Sequence, residues 1–144
     1  MCQSLTEIRA AAAAYGASFD PKRLSCADAA RVAREAAAVE ATMAAVKSMA
    51  AARAAESRDF VGAHATAAEA LAGMTGTTKD EAEKVLQTGK LLAGQEEVGR
   101  AALAGEISKD QARLISGTVA IDPAASGSLL EEAKQGSFSG LKDA

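Results

Sequence analysis

Six side chains suited to contacts with a nucleic acid lie in two short stretches of this chain, thirty residues apart. They are the hydroxyl, amine, amide and guanidinium groups of Thr78, Lys79, Lys84, Gln87, Lys109 and Arg113. Lysine and arginine bind phosphate oxygens, and hydroxyl and amide groups donate to phosphates or to base edges. The residue types therefore predict phosphate contacts through the four cations, with Thr78 and Gln87 nearest to any base.

Both stretches carry the signal for the start of a helix. Thr78 is followed three positions later by Glu81, and Ser108 by Gln111. In such a capping box the hydroxyl accepts from a backbone N–H of the first turn, and the Glu or Gln side chain bonds back to the cap residue. A glycine-bearing turn and an apolar segment precede each box. The pattern predicts helix, tight turn and helix twice over, a layout that presents a helix to the DNA major groove.

The turn at Gly76 fixes which residues of the following helix face outward. Ala82 and Val85 are expected to pack back against the preceding helix, where Leu71 and Ala72 point inward. The outward positions are then Thr78, Lys79, Asp80, Glu83, Lys84 and Gln87. The two carboxylates on this face would repel a phosphate backbone.

The composition predicts an all-α fold. Hydrophobic residues make up 49% of the 144 residues, but most are alanine, and aromatic residues reach only 3%. Alanine has the best intrinsic helix propensity, and residues typical of strands are sparse. Small alanine surfaces bury little area each, so we expect a thin core. The architecture expected is long N-terminal helices packed lengthwise, followed by a compact multi-helix part with helix-turn-helix-like units.

The predicted division is an N-terminal helical hairpin-like part over residues 1–60 and a multi-helix part over 61–144, incomplete at its C-terminal end. A short amphipathic helix, with Leu5, Ile8, Ala12 and Tyr15 as its apolar stripe, ends at Gly16, and a long helix runs to about Arg58 with a break over 59–63. A later helix is expected from Thr78 to about Gly89, and another is expected to break at Gly136, with a further helix from residue 139. Apolar residues follow one side of the long helix at coiled-coil spacing. This predicted seam is centred on Val32, Val39, Met43 and Val46. It is expected to pair with a second copy or with a C-terminal nuclease domain.

The charge distribution points in two directions. A net charge of −3 argues against a free-standing nucleic-acid binder, which is usually basic. Between Lys22 and Arg58, however, seven basic residues stand against four acidic ones. That segment is either an ordinary solvated face or a basic surface with a purpose.

No catalytic, metal or cofactor site is predicted. His64 is the only histidine and is expected at the surface, and Cys2 and Cys26 make neither a disulfide framework nor a metal site. The N-terminal stretch has no basic region typical of a signal peptide, and no apolar window is long enough to span a membrane. A reduced, cytoplasmic setting is the expectation, without a membrane partner.

Residues 71–121 resemble the helix-turn-helix region of ParB-type partition proteins. The shared pattern ends in the run from Gly105 to Arg113, with Ile107-Ser108 and Ala112-Arg113 at the matching positions.

From about Leu24 onward the chain is similar to the actinobacterial 13E12 repeat family, domain of unknown function 222. The matching residues are Leu71-Ala72, Thr75 to Thr78, Glu81-Ala82, Leu86, Ala102 to Ser108 and Gln111 to Arg113. Some members of the family are rich in arginine after the first glycine turn. This chain differs from them, because Asp80, Glu81 and Glu83 occupy those positions.

The 13E12 resemblance implies a helical module that often precedes an HNH endonuclease domain, whose histidines are not present in these residues. An accessory double-stranded DNA-binding module is therefore the first expectation. A protein-interaction or self-association module is the alternative. Whether the full-length relative is an enzyme stays open.

Overall fold

A computed structural model describes residues 2–62, 64 and 66–135, with the side chains of 2 and 3 left aside. These residues form helices and turns and no strand, which confirms the all-α prediction. The helices are α1 (Cys2–Ala17), α2 (Cys26–Ala54), α3 (Arg58–Val61), α4 (Ala67–Thr75), α5 (Lys79–Gly94), α6 (Glu96–Leu103), α7 (Lys109–Ile121) and α8 (Ser126–Gln135), with 3-10 turns at Pro21–Arg23 and Pro123–Ala125.

Hydroxyl caps and glycines set the helix ends in the C-terminal half. The side chains of Thr66, Thr78 and Ser108 each accept a hydrogen bond from the backbone N–H three residues later. Gly76 ends α4 in the left-handed conformation (φ 69°), and Gly105 follows α6 at φ 75°. Glycine takes this conformation without the steric cost that a side chain adds.

The backbone divides into two compact units, Met1–Glu35 and Ala36–Ala144. The predicted boundary at residues 60 and 61 lies inside the second unit. In the first unit, the predicted apolar stripe of α1 is exposed at Leu5, Ile8 and Tyr15, and the Tyr15 and Phe19 rings stack with centroids 6.0 Å apart.

The part of the second unit that the structure describes buries two apolar clusters. The larger one is built on Leu92, Val98, Ile107 and Ile115, all at most 2% exposed. The smaller one comprises Ala51, Ala68, Leu71 and Ala82, with Phe60, Val85 and Leu86 packed against it. Alanine supplies many of the buried positions, as the composition predicted.

Three helix boundaries differ from the sequence prediction. The long helix α2 ends at Ala54, and α3, capped by the Ser57 side chain, occupies part of the predicted break. α5 continues through Gly89 to Gly94. The predicted interruption at Gly136 and the helix expected from residue 139 lie outside the described residues.

Candidate nucleic-acid interface

The outward face of α5 carries the side chains that the sequence placed there. Thr78, Lys79, Lys84 and Gln87 are exposed, as are Asp80 and Glu83. On the inner side Ala82 is fully buried, and Val85 and Leu86 are half-buried. The predicted orientation of this helix is confirmed, whereas its use in a helix-turn-helix stays a prediction.

Glu81 is the centre of a charged cluster that joins α5 to α7. The Arg113 guanidinium donates from Nη2 to Oε1 at 2.8 Å and from Nη1 to Oε2 at 3.4 Å. Lys109 Nζ lies 3.8 Å from the same Oε1. The two paired side chains, Glu81 and Arg113, are only 30% and 29% exposed. The predicted cations Lys109 and Arg113 are thus brought together, but around a carboxylate of the chain itself.

This environment changes the acidity of Glu81. The hydrogen bonds from Arg113 hold the pKa of the Glu81 carboxyl below its ordinary value of 4.5, against the opposing effect of burial. The positive charges of Arg113, Lys109 and Lys84 act in the same direction as the hydrogen bonds. Three cations therefore act on this carboxylate, of which Arg113 and Lys109 lie within ion-pair distance.

Only one of the two predicted capping boxes forms in full. Ser108 Oγ accepts from the Gln111 backbone N–H at 3.1 Å, and Gln111 Oε1 accepts from the Ser108 N–H at 2.8 Å. At the start of α5 the Thr78 hydroxyl accepts from the Glu81 N–H at 3.1 Å. The Glu81 carboxylate is instead held by Arg113. The ion pair across the two helices replaces the local return bond.

An open groove of about 530 Å³ lies beside this cluster, between α5 and α7. Three predicted residues, Lys84, Gln87 and Arg113, line it together. Asp80 and Glu83 line it too, so the formal charges along its walls balance. The remaining lining is small or apolar: Thr88, Leu91, Gly117 and Ala120.

Three predicted residues, Thr78, Lys79 and Lys109, do not line the groove. Lys79 Nζ lies 3.9 Å from Glu69 Oε1 on α4, and the Thr78 hydroxyl is used as the helix cap. Sequence reasoning also missed Glu81 as a partner of Arg113. The two are 32 positions apart, and the only signal was that each occupies the first turns of one of two similar helices.

The predicted seam of α2 lies apart from the face that α2 buries in the second unit. Ala41, Ala45, Ser48 and Ala51 are buried, whereas Val39 is 56% exposed. Met43 and Val46 are half-buried, as is Val32 in the first unit. Residues two positions apart differ by about 200° around a helix, so Val39 and Met43 project away from the side that carries Ala41 and Ala45.

The described part of the chain shows no cluster of side chains that would support catalysis or bind a metal. His64 is exposed, Cys26 is a free exposed thiol, and no group of three or more His, Cys, Asp or Glu side chains converges there. None of the described helices is both long and apolar enough to cross a bilayer.

Comparison with family models, curated proteins and solved structures gave no match to this chain. The resemblance to the 13E12 repeat family therefore stays a prediction.

The Glu81 ion pair makes stability depend on pH. We expect Glu81→Gln to lower the free energy of unfolding by about 1–2 kcal/mol at pH 7, because Arg113 loses a charged, partly buried partner. A lowered folded-state pKa stabilises above the ordinary value and is lost as the pH falls through the folded value. The difference between wild type and variant should accordingly shrink as the pH falls below 4.5.

Urea denaturation followed by circular dichroism at a series of pH values measures this difference. Glu83→Gln, on the exposed face of the same helix, is the matched control and should change the stability by less than about 0.5 kcal/mol. A gap between wild type and Glu81→Gln that stays constant down to about pH 3 would contradict the assignment.

Proposed function

We propose that this chain is an accessory double-stranded DNA-binding module that contacts phosphates along the groove between α5 and α7. The supporting observation is that Lys84, Gln87 and Arg113, chosen from residue type and spacing, come from two helices to line one open groove. Lys109 joins them through Glu81. A groove with amine, amide and guanidinium donors suits a sugar–phosphate backbone.

The balance of charge along the groove sets the strength of such binding. Lys84 and Arg113 attract phosphates, and Asp80 and Glu83 repel them. Affinity that comes from few phosphate contacts is weak, and its dependence on salt is shallow, because the slope is proportional to the number of contacts. An accessory role fits this expectation, since an HNH nuclease domain of the kind implied by the 13E12 resemblance would supply both the chemistry and further contacts.

Charge substitutions on α5 test the DNA proposal directly. We expect Lys84→Gln to weaken duplex binding and to reduce the slope of log K against log salt by about one, because one phosphate contact is lost. Glu83→Gln should strengthen binding, because it removes a repelling charge from the same groove. Fluorescence anisotropy with a labelled duplex of about 20 base pairs, between roughly 50 and 200 mM salt, gives both quantities.

Lys134→Gln is the matched control for the lysine substitution. Lys134 lies on α8, pairs with Glu106 and lines a different groove. It should leave duplex affinity close to that of wild type. Affinity that is indifferent to salt, or unchanged by Lys84→Gln and Glu83→Gln alike, would refute the proposal.

The second candidate function is self-association through the seam of α2. It is favoured by the exposure of Val39, which stands on the side of the helix that the second unit does not bury. Apolar side chains at coiled-coil spacing on such a face are typical of a helix that pairs with another helix.

Val39→Asp separates this candidate from the first. Because Val39 is 56% exposed, the substitution should leave helix content and thermal stability nearly unchanged. We expect it to shift a dimer toward monomer in sedimentation equilibrium while duplex binding by the monomer persists. A wild-type chain that stays strictly monomeric at high concentration would rule out self-association.

A further inference from the structure

A partly open cavity lies beside the Glu81–Arg113 pair, within the second unit. Its volume is about 80 Å³, and its walls come from α2, α4, α5, α6 and α7. Just over half of the lining residues are apolar, among them Ala41, Ala45, Ala82, Ala112, Leu71 and Leu92, and the hydroxyl residues Ser48, Thr75, Thr77, Thr88 and Ser108 line it as well. The methyl groups of four helices thus face a shared space that none of them fills.

The size of this space is unusual for a packed interior. Voids larger than a water molecule are few in protein cores, and one water needs roughly 15 Å³ on this measure. The cavity therefore has room for a small apolar group. The hydroxyls of Ser48, Thr75 and Ser108 already bond to backbone groups of the chain. The alanine side of the space offers water few hydrogen-bonding partners, which favours an apolar occupant there.

The rim of the cavity is polar and positive. Lys47 of α2 and Lys109 and Arg113 of α7 line it, against the single carboxylate of Glu81. Arg113 Nε is buried and has no hydrogen-bond partner within the described residues. The charged residues that line the cavity carry an excess of positive charge, which suits an anion at the rim.

We propose that this cavity binds a short-chain aliphatic carboxylate. Its hydrocarbon tail occupies the alanine-lined space, and its carboxylate lies at the rim, where it pairs with Lys47 and Lys109. The volume suits a tail of roughly three to four carbons. The cavity shares Arg113 with the outer groove, but it lies within the second unit, and its occupancy is measured in the absence of DNA.

A homologous series of ligands tests the proposal. Sodium acetate, propionate, butyrate, hexanoate and octanoate are titrated into the full chain by calorimetry or by amide chemical-shift mapping. We expect affinity to rise about fourfold for each methylene up to butyrate, as apolar surface is buried, and then to level off as the cavity is filled. Absence of saturable butyrate binding, or affinity that rises steadily through octanoate, would overturn the proposal.

Two variants and one neutral ligand identify the site. Ala41→Leu fills the space from α2 and should abolish butyrate binding while thermal denaturation confirms that the chain still folds. Lys47→Gln, at an exposed rim position, should weaken butyrate several-fold and leave 1-butanol unchanged. Equal affinity for butyrate and 1-butanol would overturn the carboxylate assignment, and binding that survives in folded Ala41→Leu would place the ligand elsewhere.

Discussion

Gly89→Ala should destabilise the second unit by about 3 kcal/mol or more, which for a thin alanine core approaches complete unfolding. A Cβ atom at this position would lie 1.9 Å from the carbonyl oxygen of Ser48 and 3.0 Å from the backbone nitrogen of Met49. Both atoms belong to the backbone of α2, so no side-chain rotation can relieve the contact. α2 and α5 would have to move apart and open the core around Leu92.

Gly117→Ala is the matched control for Gly89→Ala. Gly117 lies inside α7, and among the described residues no atom beyond its own helix backbone and chain neighbours comes within 4 Å of the position that its Cβ would take. Alanine should therefore stabilise this helix by about 0.5–1 kcal/mol through its better helix propensity. Thermal denaturation followed by circular dichroism measures both variants. A Gly89→Ala chain as stable as wild type would mean that α2 and α5 do not pack at this distance.

Ile115→Ala is expected to cost about 3–4 kcal/mol. Ile115 is fully buried on α7 and belongs to the same cluster as Leu92, Val98 and Ile107. Truncation removes buried methyl groups and leaves a cavity that surrounding alanine side chains are too short to fill. The free energy of unfolding from urea denaturation gives the loss directly.

Ile121 provides the comparison for Ile115. It ends the same helix but is 88% exposed, so Ile121→Ala should change the stability by less than about 0.5 kcal/mol. Equal losses in the two variants would contradict the placement of the core.

Gly89 also shows where sequence reasoning failed. A glycine late in a helical pattern was interpreted as the end of a helix, because glycine commonly terminates helices. At Gly76 and Gly105 that interpretation is correct, since both have positive φ. At Gly89 the helix continues, and the missing side chain lets another backbone approach. A glycine that ends a helix and a glycine that admits a neighbouring backbone differ in their tertiary contacts, which the local sequence does not reveal.

The buried face of α2 could not be predicted from the sequence for a related reason. The fold class followed from alanine content, and the helix starts followed from hydroxyl caps, because both are local properties. In α2, alanine occurs on every side, so the larger residues Val39 and Met43 indicated a seam. The second unit instead buries Ala41 and Ala45, which allow close approach. The pairing of Glu81 with Arg113 is likewise a tertiary contact, and nothing at either position alone predicts it.

The carboxylate of Glu81 has a consequence for every anion that approaches this surface. An incoming phosphate or carboxylate must compete with the Glu81 carboxylate, which lies beside Arg113 and Lys109 and cannot diffuse away. Because it is part of the chain, the Glu81 carboxylate has an effective concentration in roughly the millimolar range. Protonation removes the competitor, so acidification should release two cations together and make this face of the molecule more receptive to negative charge.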